Sequence, residues 1–173
     1  MESLVFISIG GNVGDSVSVI MDAVSEMREW SEITDLQISK LYSTSPISSV
    51  KQVDFVNGVI SFYTTLSPLA LMERCWKLER QYGLKEPIKH GPRVLDIDLI
   101  FFDKEQMDDD YLTVPHPCWR DRLFVLIPLF DLVDKVTVPR DDGGVEYLSM
   151  ERLVAAAKLK FPDQSVYPVD THL

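Results

Sequence analysis

The stretch DIDLI contains two aspartates, Asp96 and Asp98, within an apolar run that is typical of a β-strand. Side chains alternate between the two faces of a strand, so these carboxylates point the same way, about 7 Å apart along the chain. Neighbouring carboxylates are hard oxygen ligands of the kind that hold Mg²⁺ together with substrate phosphates. The alternative is a solvated sheet face, which antiparallel sheets often keep. The next residue on this face, Ile100, is apolar, which favours a dedicated site.

Basic side chains flank the aspartate pair along the chain, as a nucleotide phosphate site requires. One group precedes the pair and a second follows it, and their members are Lys89, His90, Arg93, His116, Arg120 and Arg122. The ordinary role of such isolated residues is a surface charge. His116, however, lies between two prolines, which restrict the backbone on either side of it. The pattern therefore favours a magnesium–nucleotide site over a set of unrelated surface charges.

Two rings and an amide in this chain would suit a flat aromatic ligand. Phe55 and Asn57 share one face of a predicted strand, and Phe124 follows the second basic group. Packing in the core is the ordinary role of such rings. Asn57 is harder to assign to packing, because its amide presents both a donor and an acceptor.

The spacing of apolar residues predicts the elements that position these side chains. Strands are predicted at residues 4–9, 33–44, 55–65 and from 94, with helices after Asp15, from Ser67-Pro68 to Tyr82 and near residues 124–133. A hairpin around Asp142 and a helix from Ser149 follow, and we expect the tail after residue 161 to be loosely held. The order β-α-β-β-α-β predicts an α+β fold: a ferredoxin-like antiparallel sheet with helices packed on it and a C-terminal hairpin and helix extension. We expect one domain over residues 1–173.

Composition limits the classes of function. The chain has 173 residues, a net charge of −10 and a pI near 4.7, which argues against a general nucleic-acid surface. It lacks an apolar run of membrane-spanning length and a basic-then-apolar N-terminus, so we expect no membrane partner and a cytoplasmic protein. Cys75 and Cys118 form no metal or redox motif, and we expect reduced, partly buried thiols.

The glycine-rich turn GGNVGD, residues 10–15, fits neither of the common phosphate-binding glycine motifs. It lacks the GxxxxGK[ST] spacing with its lysine, and it lacks GxGxxG. We interpret it as a strand-to-helix connection. If this chain binds ATP, it does so without a Walker motif.

The block KHGPRVLDIDLI, residues 89–100, resembles the signature of the 6-hydroxymethyl-7,8-dihydropterin pyrophosphokinase family of folate biosynthesis. Further blocks agree in the same order, namely ISIGGNVGD, YSTSPI, DFVNGV, LERQYG, LTVPHP and RLFVLIPL. The resemblance spans residues 4 to about 150, nearly the whole chain.

The resemblance implies an enzyme that transfers pyrophosphate from ATP to the hydroxymethyl group of the pterin and releases AMP. It implies that Asp96 and Asp98 hold two Mg²⁺ ions between the ATP phosphates. The residues implied to contact the triphosphate and assist the transfer are Lys89, Arg93, His116 and Arg122. Those implied to place the nucleotide are Glu79, Leu99 and Thr113. Those implied to form the pterin pocket are Thr44, Pro46, Ile47, Phe55, Asn57, His90 and Phe124.

Three features depart from the family pattern. His90 stands where tryptophan is common, and Gly11 stands where serine is common, a change that we expect to matter little. The loop of residues 84–90 carries leucine and lysines where some members have arginines. We expect this loop to order over ATP and pterin and to exclude water from the phosphates.

Two alternatives to the enzyme remain at this point. One is a homologue that binds pterin or nucleotide without turnover, and the other is a ferredoxin-like interaction module with a solvated aspartate pair. The presence of both aspartates favours an active enzyme. Because this family occurs fused to its pathway neighbours, we expect either a monomer or a chain joined to or associated with other folate enzymes.

Overall fold

A computed structural model of the chain describes residues 1–49, 51–83 and 91–170. The strands in this part are β1 (Ser3–Gly11), β2 (Ile33–Ile38), β3 (Tyr42–Thr44), β4 (Phe55–Thr64), β5 (Asp96–Phe102), β6 (Met107–Asp108), β7 (Thr113–Val114), β8 (Lys135–Pro139), β9 (Val145–Ser149) and β10 (Val166–Pro168). The helices are α1 (Ser16–Arg28), α2 (Pro68–Tyr82), α3 (Leu123–Leu132) and α4 (Met150–Lys160), with a 3-10 turn at Trp119–Asp121.

The predicted starts of α1 and α2 are confirmed, because each has the side-chain cap that its sequence suggests. Asp15 accepts a hydrogen bond from the Ser18 amide at 3.1 Å at the start of α1. Ser67 accepts one from the Ala70 amide at 3.2 Å before Pro68, the first residue of α2. These side chains satisfy amides that have no partner within the first helical turn. The third helix, predicted near residues 124–133, runs as one helix, α3, through Pro128.

The main sheet is antiparallel, as predicted, with the strand order β10-β3-β4-β1-β5 and with β2 also paired to β4. The single strand predicted over residues 33–44 is wrong, since β2 and β3 are separate. Asp35 has a left-handed φ of 51° at a register shift in β2. The Ser39 hydroxyl then accepts from the Val59 amide at 2.9 Å, where a strand would use its backbone. The chain therefore leaves the ladder between the two strands.

Apolar layers cover both faces of this sheet. Helices α1 and α2 contribute residues such as Met27, Leu71 and Leu78 to a core on the first face, which also receives Ile97 and Leu99 of β5. The second face is packed by α3, α4 and the β8–β9 hairpin; its buried residues include Phe6, Val59, Ile100, Leu126 and Met150. The C-terminal extension is therefore an outer layer of the same structure.

The expected loose tail after residue 161 is wrong for residues 161–170. Strand β10 pairs with β3, so that Val166 lies opposite Thr44. The Val169 amide also donates to the Leu41 carbonyl at 2.9 Å. No sequence pattern predicts this pairing, because the three-residue strand Val166–Pro168 has no periodicity of its own and depends on a distant partner.

Both cysteines are free, but their environments differ from the expected partial burial. Cys75 is fully buried in the first core, where burial raises the pKa of its thiol to about 12, and Cys118 is exposed. Among the described helices, none combines the length and apolar character needed to cross a bilayer.

The end of β1 packs against the backbone that leads into β5. A Cβ atom added at Gly11 would lie 2.2 Å from the carbonyl oxygen of Val94 and 3.3 Å from that of Arg93. These are backbone atoms, which cannot turn aside as a side chain can. The expectation that serine or glycine would serve equally at position 11 is therefore wrong for this packing.

We predict that Gly11→Ser lowers the free energy of unfolding by about 1–3 kcal/mol, the usual cost of overpacking. Gly144→Ala is the matched control, since its added Cβ would meet mainly the exposed guanidinium of Arg140. Urea denaturation of the two variants and the parent chain measures the difference. Equal stability of Gly11→Ser and the parent would show that the Val94 backbone yields freely.

Candidate active site

A cleft of about 370 Å³ opens on the second face of the sheet, beyond the part that α3 and α4 cover. Eleven of the residues predicted for the site line it, namely Thr44, Pro46, Ile47, Phe55, Asn57, Arg93, Asp96, Asp98, His116, Arg122 and Phe124. Residues that the prediction missed also line it, namely Ser8, Ser45, Ser48, Gln52 and Gly91. The cleft thus joins the predicted phosphate half and the predicted aromatic half in one space.

The cleft exists because the central strands change from apolar to polar along one face. On β4, Val59 is buried under α3 while Asn57, two residues earlier, lines the cleft. On β5, Ile100 is buried in the same core while Asp98 lines the cleft. Ser8 of β1 lies between them in register, opposite Val59 on one side and Asp98 on the other. The alternation of each strand therefore builds a polar floor beside an apolar core.

The two aspartates repel each other within this floor. The pKa of Asp96 is raised to about 6, chiefly by burial and then by the neighbouring Asp98 carboxylate, against the lowering effect of Arg93. Burial also raises the pKa of Asp98, while Arg122 and Arg93 lower it. A pair held in this way binds protons or metal ions more readily than separated carboxylates do. Asp98 keeps 41% of its side-chain surface exposed, which leaves it open to a ligand.

Glu79 of α2 supports the strand from the opposite side. Its carboxylate accepts a hydrogen bond of 2.6 Å from the amide of Ile97, the residue between the two aspartates. The pKa of Glu79 is raised to about 7, chiefly by burial and also by Asp96 and Asp98, against the lowering effect of the hydrogen bond from Ile97. Glu79 therefore holds the backbone that carries the aspartates, and its role in placing a nucleotide stays a prediction. Three carboxyl groups thus lie close together around one strand.

Two arginines and a ring face the aspartates across the cleft. Arg122 Nη1 lies 3.8 Å from the Asp98 carboxylate, and its guanidinium lies 5.5 Å from the centre of the Phe124 ring. Arg93 is fixed through Asn12, whose side-chain oxygen accepts from the Arg93 amide at 2.9 Å and whose backbone amide donates to the Arg93 carbonyl at 2.8 Å. Both cations are held close to the carboxylates without neutralising them fully.

His116 is a neutral donor rather than a cation. Burial and the nearby Arg122 lower its pKa to about 4, against the influence of Asp96. Its Nδ1 accepts from the Cys118 amide at 3.1 Å, so the proton of the neutral ring lies on Nε2. Its backbone amide donates to the Ile100 carbonyl at 3.0 Å, next to a cis peptide bond between Val114 and Pro115. The ring is thereby fixed beside the aspartates.

At the other end of the cleft, the amide of Asn57 is set in one orientation. It is only 7% exposed, and its Nδ2 donates to the Thr44 hydroxyl at 2.6 Å. Gly10 lies opposite it in the sheet, and a Cβ there would lie 2.0 Å from the Asn57 side-chain oxygen. Phe55 and Phe124 line the same end. A fixed amide with two rings suits a flat ligand that carries its own donors and acceptors.

A family model described as 7,8-dihydro-6-hydroxymethylpterin-pyrophosphokinase (HPPK) matches residues 6–134, a range that includes every residue lining this cleft. The chain belongs to the HPPK family. The resemblance noted in the sequence is thus confirmed.

Individual HPPK relatives agree with this assignment. The chain is 32% identical over 136 residues to the 2-amino-4-hydroxy-6-hydroxymethyldihydropteridine pyrophosphokinase of Bacillus subtilis, covering 79% of this chain and 81% of that one. It is 35% identical over 164 residues to the bifunctional protein FolKE of Lactococcus lactis, covering 95% of this chain but only 44% of that protein. A solved HPPK-DHPS structure from Plasmodium falciparum matches 94% of this chain and 43% of its own, with a TM-score of 0.67 at 12% identity, which supports the fold.

Several residues singled out in the sequence, by the HPPK resemblance or, for Arg120, by the basic group after the aspartates, are not among the described residues that line the cleft. Leu99 is buried in the first core, on the opposite face of β5 from the aspartates, and Thr113 bonds to Asp108 in the small β6–β7 hairpin. Arg120 pairs with Glu146 at 3.1 Å, on the surface, as an ordinary surface charge would. Lys89 and His90, and the expected lid of residues 84–90, lie outside the described residues.

The donor set fits an ion shared with a substrate. Within residues 1–49, 51–83 and 91–170, no group of three or more His, Cys, Asp or Glu side chains is arranged to hold a metal ion. Asp96 and Asp98 supply two carboxylates, which matches the way proteins hold Mg²⁺ through one or two carboxylates, water and phosphate oxygens. Their raised pKa values show that a positive ligand would relieve repulsion there.

Without divalent cations, the contribution of Asp96 to the stability of the protein should fall between about pH 4 and pH 6. The pKa of Asp96 is raised from 3.8 to about 6 in the folded chain. A raised pKa favours the folded state below pH 3.8, and this contribution is lost as pH rises through about 6. Asp96→Asn should therefore flatten the fall and be more stable than the parent at pH 7. Urea denaturation from pH 4 to pH 7 measures the free energy of unfolding of Asp96→Asn and the parent, with Asp110→Asn as a surface control. Parallel curves for Asp96→Asn and the parent would contradict the prediction.

Proposed function

We propose that this protein is an ATP-dependent pyrophosphokinase of folate biosynthesis. It transfers pyrophosphate from ATP to the hydroxymethyl group of 6-hydroxymethyl-7,8-dihydropterin and releases AMP. One observation carries the proposal: a single cleft joins a fixed amide and two rings to a carboxylate pair faced by two arginines. The family match supports it, and the Bacillus subtilis relative is named as this pyrophosphokinase.

The pterin occupies the end of the cleft formed by β3 and β4. Asn57 is oriented by Thr44 and presents its amide to the donor and acceptor edge of the heterocycle. Phe55 and Phe124 provide apolar surfaces for its two flat faces. Pro46 and Ile47 close the side of the same end. Such contacts hold the hydroxymethyl oxygen in place, and positioning supplies much of the rate enhancement in group transfer.

The triphosphate occupies the charged end. Asp96 and Asp98 would hold Mg²⁺, two ions as the resemblance implies, and the metal would supply positive charge to neutralise the phosphate oxygens. Arg93 and Arg122 contribute positive charge to the transferred group, and His116 donates from Nε2 without a charge of its own. The hydroxymethyl oxygen attacks the β-phosphorus, the bond to the α-phosphate oxygen breaks, and AMP leaves.

We also propose the finer architecture and context of the chain. The chain order β1, α1, β2 and β3, β4, α2, β5, with β1 between β4 and β5 in the sheet, supports a ferredoxin-like core in a single pyrophosphokinase domain. A cytoplasmic location is consistent with substrates that are small soluble metabolites. Fusion is a feature of several relatives, and this chain corresponds to under half of the bifunctional proteins it matches. It therefore acts alone or beside other enzymes of the pathway.

The direct test mixes the protein with ATP, Mg²⁺ and 6-hydroxymethyl-7,8-dihydropterin and follows AMP by chromatography. Omission of the pterin is the control for simple hydrolysis. Calorimetry with a non-hydrolysable ATP analogue and Mg²⁺ separates the alternatives. Binding without AMP would indicate a non-catalytic homologue, and absence of both would indicate an interaction module.

Asp96→Ala and Asp98→Ala should each reduce kcat by about 10²-fold or more while the chain stays folded. Each removes a carboxylate that anchors charge opposite the transferred group, and comparable electrostatic losses have that size. The control is Asp110→Ala, in an exposed turn. Steady-state AMP formation at saturating Mg²⁺ measures kcat, and circular dichroism shows whether each variant stays folded. Near-normal turnover in either cleft variant would remove the aspartates from the mechanism.

Asn57→Ala should weaken pterin binding more than ATP binding. Loss of a buried amide that pairs with a ligand costs about 1–3 kcal/mol, or roughly 5- to 150-fold in Kd. Separate calorimetric titrations of pterin and of the Mg²⁺–ATP analogue measure the two effects. Gln106→Ala is the control, because Gln106 bonds to Asp141 outside the cleft. Equal weakening of both ligands would place the pterin elsewhere.

A further inference from the structure

The side chain of Gln164 forms hydrogen bonds to the backbone on both sides of Arg122. Its side-chain oxygen accepts a hydrogen bond from the Leu123 amide at 2.9 Å, and its side-chain nitrogen donates to the Asp121 carbonyl at 2.8 Å. These two groups belong to the two peptide bonds of Arg122. Gln164 lies beyond residue 134, where the family match ends, so that match assigns it no role.

These hydrogen bonds take the place of the side-chain N-cap that α3 lacks. Arg122 is the N-cap residue of α3 and makes no side-chain capping hydrogen bond. The Leu123 amide begins the helix and has no acceptor within it. Gln164 supplies that acceptor from 41 residues away in the sequence. Its second hydrogen bond reaches the end of the preceding 3-10 turn at Trp119–Asp121. One amide thus fixes the junction where Arg122 leaves the backbone.

The residues after Gln164 hold the opposite wall of the cleft. The Ser165 amide donates to the Ser45 hydroxyl at 3.0 Å, and the Ser165 carbonyl accepts from the Ser45 amide at 3.1 Å. Val166 then pairs with Thr44, the residue that orients Asn57. Three consecutive residues, 164–166, therefore connect the phosphate end of the cleft with its aromatic end.

The position of this junction matters most for the Arg122 side chain. Its guanidinium is 3.8 Å from Asp98 and lies over the Phe124 ring, and only 26% of its side chain is exposed. A long side chain with these contacts is aimed by its backbone, so a shift of the junction moves the charge away from the transferred group. Displacements of about 1 Å at reacting groups can cost about 10²-fold in rate.

We propose that Gln164 is a positioning residue for Arg122, and that residues 164–166 set the spacing between the two ends of the cleft. This inference rests on the proposed function, because it assigns to Arg122 a role in pyrophosphate transfer. It adds a functional role for a segment outside the matched family region.

A double-mutant cycle tests the coupling. Gln164→Leu keeps similar volume and removes both hydrogen bonds, and we expect kcat to fall about 10-fold in the parent chain. In an Arg122→Ala background the same change should alter kcat less than about 2-fold, since the group that it positions is gone. Gln164→Glu keeps the acceptor and loses the donor, so its kcat should lie between those of the parent and of Gln164→Leu. Asp163→Ala, an exposed neighbour, is the control and should match the parent.

A second measurement does not depend on turnover. Amide hydrogen exchange by NMR should show faster exchange at Leu123 in Gln164→Leu and near-parent protection in Gln164→Glu. If the parent chain forms no AMP, the proposed function fails, and the exchange result still decides whether Gln164 holds this junction.

Three results would overturn the positioning role. One is an equal loss of kcat in both backgrounds, which indicates a general effect on the fold. Another is unchanged exchange at Leu123 in Gln164→Leu. The third is loss of folding in both Gln164 variants at the assay temperature, by circular dichroism, which would make Gln164 a stability residue only.

Discussion

The repulsion between Asp96 and Asp98 is the constraint around which this protein is arranged. Burial raises the pKa of both carboxylates on this strand face, and the negative charge of Asp98 raises that of Asp96 further. The fold holds them there by bonding Glu79 to the intervening Ile97 amide and by packing Ile97 and Leu99 into the first core. The result is a preorganised site that favours a cation, at a cost in stability that a bound ion would offset.

A second consequence is the division of one sheet face into two regions. Toward α3 and α4 the strands present Phe6, Val59 and Ile100, which bury the outer layer. Two residues away on each strand, toward the cleft, the same face carries Ser8, Asn57 and Asp98 and forms the polar cleft floor. Stability and chemistry therefore use the same strands, and a register shift of one residue would exchange the two faces. The long hydrogen-bonded pairing between β1 and β4, from Ser3 opposite Thr64 to Gly11 opposite Val56, fixes the register.

Charge in the cleft is local and differs from that of the whole chain. The protein carries a net charge of −10, yet Arg93 and Arg122 both face the aspartates. His116 stays neutral at pH 7, because burial and Arg122 lower its pKa. The site therefore combines fixed cations, a neutral donor and a carboxylate pair. Each can act on a phosphate group in a different way, and none requires a basic surface.

Local sequence determined which polar and aromatic side chains share a strand face and where helices begin. Tertiary structure determined the long-range hydrogen bonds that position those side chains. Strand alternation placed Asp96 with Asp98, and Phe55 with Asn57, because it depends on adjacent residues alone. Caps at Asp15 and Ser67 were equally local. By contrast, the pairing of Gln164 with Leu123 joins residues 41 apart, and that of Ser165 with Ser45 joins residues 120 apart. No periodicity signals such contacts, since they exist only once the chain has folded and brought two distant backbones within hydrogen-bonding distance.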